Sequence, residues 1–399
     1  MSVEASIATQ SRTVLTAKPT AIFKRVSLLV LMALGAWLVS AAAGQRQALL
    51  LLLGYALGVV LLYTTFSFSN GWRRMVSERR SLWLRAQMVM LVVGSAIILP
   101  VLADGSLWGT SVSAYIRPLG ASLIVGAFIF GVGMQLVGSC ASGVLYNSGG
   151  GQIKMLLALV MFAIGALLAT AHYGWWMTQV NFMPIDWSSL VGVWGAILIN
   201  ATIATGFYLL FSWIEKRRYG RIEPLWRRQS NGLGRSLLYG ALTLAVLNVI
   251  TLGVAGRPWS VANAFPLWGA KGSAWLGFDL DLDFWDYWTQ AAAERALSGG
   301  LLDDTSSVMN IGIVLGALAV ALMTTRFNLR WRISVSETTA TVVGGLMLGY
   351  GATIGFGCNV GAFFGGVVSG SLHGWVWFVA AFSGTSLVVL LKNAKTAAD

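Results

Sequence analysis

The sequence predicts an all-α integral membrane protein of about ten transmembrane helices, with inverted repeats and short broken helices meeting near the midplane. Three observations predict it. Of the 399 residues, 56% are hydrophobic and only 11% charged, a balance that excludes an ordinary soluble domain. Apolar runs of spanning length recur along the chain, with basic residues gathered between alternate runs. One glycine-rich stretch with a single cysteine occurs twice, and the chain has no other cysteine.

The first 21 residues are polar, a cytoplasmic tail ending near Lys18, Lys24 and Arg25, which precede an apolar run to Ala43. Ala41, Ala42 and Ala43 resemble the small-residue cleavage site of a signal peptide. The run is close to the twenty residues that cross the hydrocarbon and more spans follow directly, so it reads as an uncleaved first span. Nine further apolar segments follow at about 48–68, 84–103, 118–138, 152–172, 188–213, 235–255, 308–325, 338–356 and 373–392.

Loop charge tests that count. Arg73, Arg74, Arg79, Arg80 and Arg85 follow span two; Lys216, Arg217, Arg218, Arg221, Arg227, Arg228 and Arg235 follow span six; Arg326, Arg330 and Arg332 follow span eight. These loops fall on the cytoplasmic side, with both termini, in a multi-pass membrane protein. The net charge of +12 is thereby an orientation signal and not a nucleic-acid footprint.

The acid lies opposite, in an extracytoplasmic loop over 256–307, where Asp279, Asp281, Asp283, Asp286, Asp303 and Asp304 alternate with aromatic residues. It reads as an amphipathic surface cap with a short helix around 284–297. The alternation of Asp279, Asp281 and Asp283 also suits a calcium loop, which the lack of a glycine turn and terminal glutamate disfavours. The organisation expected is a tail (1–21), a first half (22–255), this loop, a second half (308–392) and a C-terminal tail (393–399).

The repeat copies run from Gly126 to Gly151 and from Gly344 to Gly370. Laid cysteine on cysteine, Gly126 falls on Gly344, Gly131 on Gly349, Gly133 on Gly351, Cys140 on Cys358 and Gly143 on Gly361. With this count of spans the copies are inverted across the membrane, a plan that places a transport site where broken helices meet. Gly in a helix interior costs about 0.8–1.0 kcal/mol relative to Ala. Close helix packing accounts for Gly126, Gly131, Gly344 and Gly349. Gly138, Gly355 and Gly357, beside the cysteines, read as breaks that free main-chain amides and start a new helix facing an anion.

Cys140 and Cys358 at equivalent positions, flanked by Ser139 and Ser142 or by Gly357 and Asn359, read as a pair contacting a soft sulfur or selenium atom; a disulfide between them is the rival. No Asp or Glu stands deep in a span, which disfavours carboxylate-coupled pumping. His172 and His373 near span ends read as structural hydrogen-bonders, and Lys154 as a snorkelling side chain; Lys154 and His373 also stand where either could draw in an anion. No resident metal or cofactor is expected.

The second copy, GGLMLGYGATIGFGCNVGAFFGGVVSGSLHGW, closely resembles the cysteine motif of the YeeE/YedE family of prokaryotic inner-membrane proteins, and the first resembles its sister motif. Leu51 to Met75, the Trp268 region and Asn310 to Arg330 share the resemblance, and the extra first span and the long 256–307 segment are similar to the longer YedE branch. The resemblance implies an hourglass of helices that imports thiosulfate past motif cysteines, here Cys140 and Cys358, with selenium metabolism linked to YedE relatives. It also implies a TusA-type cytoplasmic sulfur-carrier protein as partner. The family's third cysteine falls on Ser67. A hydroxyl is harder than a thiol, so a three-cysteine relay does not operate here unchanged. The expected function is a permease for a small inorganic sulfur anion, bound by Cys140, Cys358, Ser67, Ser139, Gly138, Gly355, Gly357 and Asn359 and embedded in membrane lipid. The alternatives are a membrane thiol-redox protein and a non-transporting scaffold.

Overall fold

The computed structural model describes residues 19–226, 233–324, 327, 329 and 333–398. Lys18, Arg227, Arg228, Arg326, Arg330 and Arg332, part of the charge pattern above, lie outside the described residues, as does most of the tail 1–21. Among the described residues, ten helices are long and apolar enough to cross a membrane, as the sequence predicts.

In chain order the helices are α1 (Pro19–Ala43), α2 (Gln45–Thr64), α3 (Phe68–Glu78), α4 (Leu82–Asp104), α5 (Ala121–Val137), α6 (Ala141–Gly149), α7 (Ile153–Ala171) and α8 (Tyr173–Thr178). Then come α9 (Trp187–Tyr219), α10 (Leu233–Ala255), α11 (Ala264–Trp275), α12 (Ala291–Ser298), α13 (Thr305–Met323) and α14 (Val335–Ile354). A π-helical turn, Asn359–Gly365, runs into Gly366–Val368, and α15 (Leu372–Ala398) follows. Four two-residue strands make two small antiparallel pairs: β1 (Ser106–Leu107) with β2 (Thr110–Ser111), and β3 (Leu119–Gly120) with β4 (Asn181–Phe182).

Neighbours repeat. Helix α14 packs on α7 as α15 packs on α5; α13 packs on α2 as α10 packs on α4; α11 packs on α7 as α15 packs on α3. Helices α5 and α14 cross at the centre, main chain against main chain. A Cβ built on Gly133 would lie 2.7 Å from the Gly344 oxygen, and one on Gly351 would lie 2.6 Å from the Gly126 oxygen. Positions 126 and 133 thus meet 351 and 344, so the copies run antiparallel in symmetric register. Gly131 and Gly349 do the same for their outer neighbours, abutting the carbonyls of Ala381 and Phe162. Only glycine permits these approaches. The two added helices break the symmetry: α1 lies on α2 with none of its described residues buried, while α9 lies mainly on α4.

The molecule has two distinct ends. At one, Glu215 is fully buried in a knot of basic partners, accepting from the Ser81 amide at 3.1 Å and from the Ser81 hydroxyl, with Arg85 at 3.5 Å and Arg80 at 3.7 Å. Tyr219 donates to the Glu78 carbonyl beside it at 2.7 Å. Helix α9 therefore extends beyond the 213 expected for its span, since this ion-paired carboxylate is satisfied inside the fold. At the other end lie both strand pairs, α8 and α12.

The 256–307 segment departs from a surface cap. Its first part turns inward at Gly256 (φ +73°) and buries Trp259, Val261, Ala262 and Phe265. Two buried asparagines satisfy that main chain: Asn248 accepts from the Trp259 amide at 2.7 Å, and Asn310 donates to the Val261 carbonyl at 2.9 Å. Only the stretch beyond Trp275 is largely exposed, with a 3-10 turn at Leu282–Phe284 and α12 where one helix around 284–297 was expected.

Candidate functional site

Each cysteine stands where a helix stops and another starts. Helix α5 ends at Gly138, whose φ of +82° is left-handed, and Cys140 is the N-cap of α6. Helix α14 ends at Gly355; Phe356 (φ +59°) and Gly357 (φ +137°) then reverse the chain, and Cys358 is the N-cap of the π-helical turn. The breaks expected at Gly138 and Gly357 are present. Gly355, where α14 ends, has a second role, and its φ of −89° is not left-handed. A Cβ there would meet the Ala127 amide at 3.0 Å, so Gly355 serves the α5–α14 crossing and the turn falls one residue later.

Both sulfurs are buried, with main-chain amides beside them. The amides of Gly143 and Phe68 lie against Cys140, whose Sγ is also 3.4 Å from the Ser142 hydroxyl. The amides of Gly361, Val360 and Ala262 lie against Cys358. The two thiols are within electrostatic reach of each other. Phe68 opens α3, and Ala262 stands just before α11 and its N-cap Asn263. Four short-helix starts therefore gather at the two cysteines, each carrying roughly half a positive charge and free amides.

Ser67 joins this group. It is the N-cap of α3, accepting from the Asn70 amide at 3.2 Å, and it meets the Ser69 hydroxyl at 3.2 Å and the Tyr146 phenol. Ser139 is buried, its hydroxyl filling the space beside Gly143. Asn359 is 1% exposed, and neither its oxygen nor its nitrogen has a hydrogen-bond partner. The hydroxyl of Ser260 is likewise buried without one, and it sits 2.6 Å from a Cβ built on Gly361. Unpaired buried polar atoms are costly. Two such groups beside Cys358 fit a site that a polar ligand completes.

Sequence reasoning missed Ser260, Tyr146, Asn248 and Asn310. The asparagines were discernible as polar residues within apolar spans, and Ser260 by the spacing it shares with Ser67: Ser67 and Asn70, Ser260 and Asn263. His172 meets the Tyr350 hydroxyl at 3.2 Å, and buried His373 meets the Ser371 hydroxyl at 2.7 Å. Among the described residues, no group of three or more His, Cys, Asp or Glu is placed to hold a metal.

The chain is similar to known transport proteins. A family model described as "Sulphur transport" matches residues 63–387. The thiosulfate transporter TsuA of Spirochaeta thermophila is 25% identical over 82% of this chain and 93% of its own length. TsuA of Escherichia coli is 22% identical over 82% and 90%. The probable transporter YedE of Escherichia coli is 29% identical over 36% of this chain and 34% of its own length.

Proposed function

Because the chain belongs to the sulphur transport family, we propose that it is a permease importing a small sulfur-containing anion, thiosulfate or a related species, through a constriction formed by Cys140 and Cys358. The observation that carries this reading is the pair of buried sulfurs, each on the N-cap of a short helical turn that follows a broken helix. A bare ion in a low-dielectric interior costs tens of kcal/mol by Born solvation. Four helix starts offset part of that cost, the hydroxyl and amide groups of Ser67, Ser139, Ser260 and Asn359 complete a polar shell, and soft thiols favour a soft sulfur terminus over a hard oxyanion. The glycines at 138 and 357 aim the amides, and Gly355 holds the crossing that brings the two cradles together. Weak, multi-site binding is what passage requires.

In this reading the arginine-rich end and both termini are cytoplasmic, in the cell inner membrane. A TusA-type carrier would receive the sulfur there. Labelled thiosulfate uptake into proteoliposomes tests the proposal: Cys140→Ala and Cys358→Ala are each expected to lower uptake at least tenfold with folded protein retained. Uptake at the wild-type rate in both variants would leave only a scaffold role.

Two buried free cysteines at equivalent positions of the repeat also suit a membrane redox protein in which they cycle through a disulfide. That reading predicts a mixed-disulfide or electron-transfer phenotype on single substitution, with uptake untouched.

A further inference from the structure

A second polar cavity lies at the end of the molecule that carries the strand pairs. Its volume is about 190 Å³, and its lining includes Tyr115, Arg117, Tyr173, Arg257, Tyr287 and Asp304. Ala262 and Phe356 also line it. These two tie it to the cysteine site, because the Ala262 amide lies against the Cys358 sulfur and Phe356 is the reversed residue two positions before it. Tyr115 fastens the wall to that turn, donating its hydroxyl to the Phe356 carbonyl at 2.6 Å.

The charges here are unbalanced. Arg117 stacks over the Tyr115 ring at 4.6 Å, and its Nε is buried without a hydrogen-bond partner. Arg257 reaches only the Ser306 hydroxyl, at 3.3 Å. Among the described residues, neither arginine has a carboxylate within ion-pair distance. Asp304 is committed to capping α13 through the Ser307 amide at 2.7 Å. The neighbouring Tyr115 phenol holds the Arg117 guanidinium above its ordinary value against the opposing effect of burial. Burial raises the Tyr173 and Tyr287 phenols. Near neutral pH the cavity therefore holds two cations, the single capping carboxylate of Asp304 and neutral phenol donors, a net positive charge. A partly buried guanidinium with an unused donor is complete only when an anion meets it.

We infer that this cavity is a separate anion-binding vestibule, which takes a small divalent oxyanion onto Arg117 and Arg257 before the ion reaches Cys358. The inference rests on the transport reading for its place in the path, and on the arginine geometry alone for binding. Arginine forks match the oxygens of a tetrahedral anion, and a cationic cavity raises local anion concentration. Selection for sulfur then belongs to the cysteines, and the vestibule accepts sulfate as readily as thiosulfate.

The test is thermal unfolding of the full-length chain in detergent, titrated with sodium thiosulfate or sodium sulfate against sodium chloride at equal ionic strength, with uptake measured in parallel. Both divalent anions are expected to stabilise the wild type and Cys358→Ala. Arg117→Gln and Arg257→Gln should each need at least tenfold more anion, and Arg117→Lys less than that. In uptake, the glutamine variants should raise the half-saturating concentration with little change in maximal rate. If Arg117→Gln does not fold, Arg257→Gln and Tyr287→Phe carry the test. Wild-type anion dependence in the folded glutamine variants overturns the vestibule and leaves the permease standing. Anion stabilisation lost in Arg117→Gln, in a protein with no uptake, supports the vestibule and removes the permease. No stabilisation of the wild type by either anion overturns the vestibule whatever uptake shows.

Discussion

A hydroxyl that is buried and unpaired costs folding free energy that a methyl of similar shape would not. That makes Ser260 informative. If its hydroxyl serves a passing ion, Ser260→Ala should leave the melting temperature unchanged or slightly higher while raising the half-saturating thiosulfate concentration severalfold. A purely structural serine would show the reverse, a loss of stability with transport kinetics intact. Ser67 behaves differently because it also caps α3, and removal of such a cap costs about 0.5–2 kcal/mol. Residue-scale legibility followed the repeat. Cys140 and Cys358 are marked by equivalence, Asn359 by standing beside Cys358, and Ser67 by resemblance. Ser260 sat in a stretch whose aspartates and tryptophans further along read as surface, so its burial could not be seen.

The short helices depend on their glycine turns. Gly138 and Gly357 adopt positive φ, where an added side chain is strained by roughly 1–3 kcal/mol. Gly351→Val acts on another link, pressing a branched side chain into the main chain of α5 at Gly126 and Phe130. We expect Gly351→Val to abolish accumulation of folded protein in the membrane. Gly138→Ala should instead fold, with unfolding a few degrees lower and uptake reduced severalfold, as read by circular dichroism melting and labelled uptake. The distinction was only partly legible. Composition marks a glycine as special but not whether it serves a helix end or a contact, so the packing role that Gly355 adds to its place at the end of α14 was not visible. The inward course of 256–275 was hidden for a related reason: the asparagines that satisfy its main chain, Asn248 and Asn310, are distant in sequence.

At the scale of the whole molecule, the count of ten spans was legible because hydropathy and loop charge report the same physics, the cost of polar groups in hydrocarbon. The pairing of helices was not, since side chains of similar apolarity pack in many ways; only the glycine register of the repeats pointed to the central crossing. That crossing acts as a pin. Backbones in direct touch leave no rotamers between them to rearrange, so α5 and α14 have little freedom to slide or scissor, and in the permease reading any gating falls to the turns at 138 and 356–357, which hang on the pin. Spin labels on the exposed residues Val125 and Val343 should therefore report one narrow distance distribution with or without thiosulfate, and a ligand-dependent second distance would mean that the halves rock.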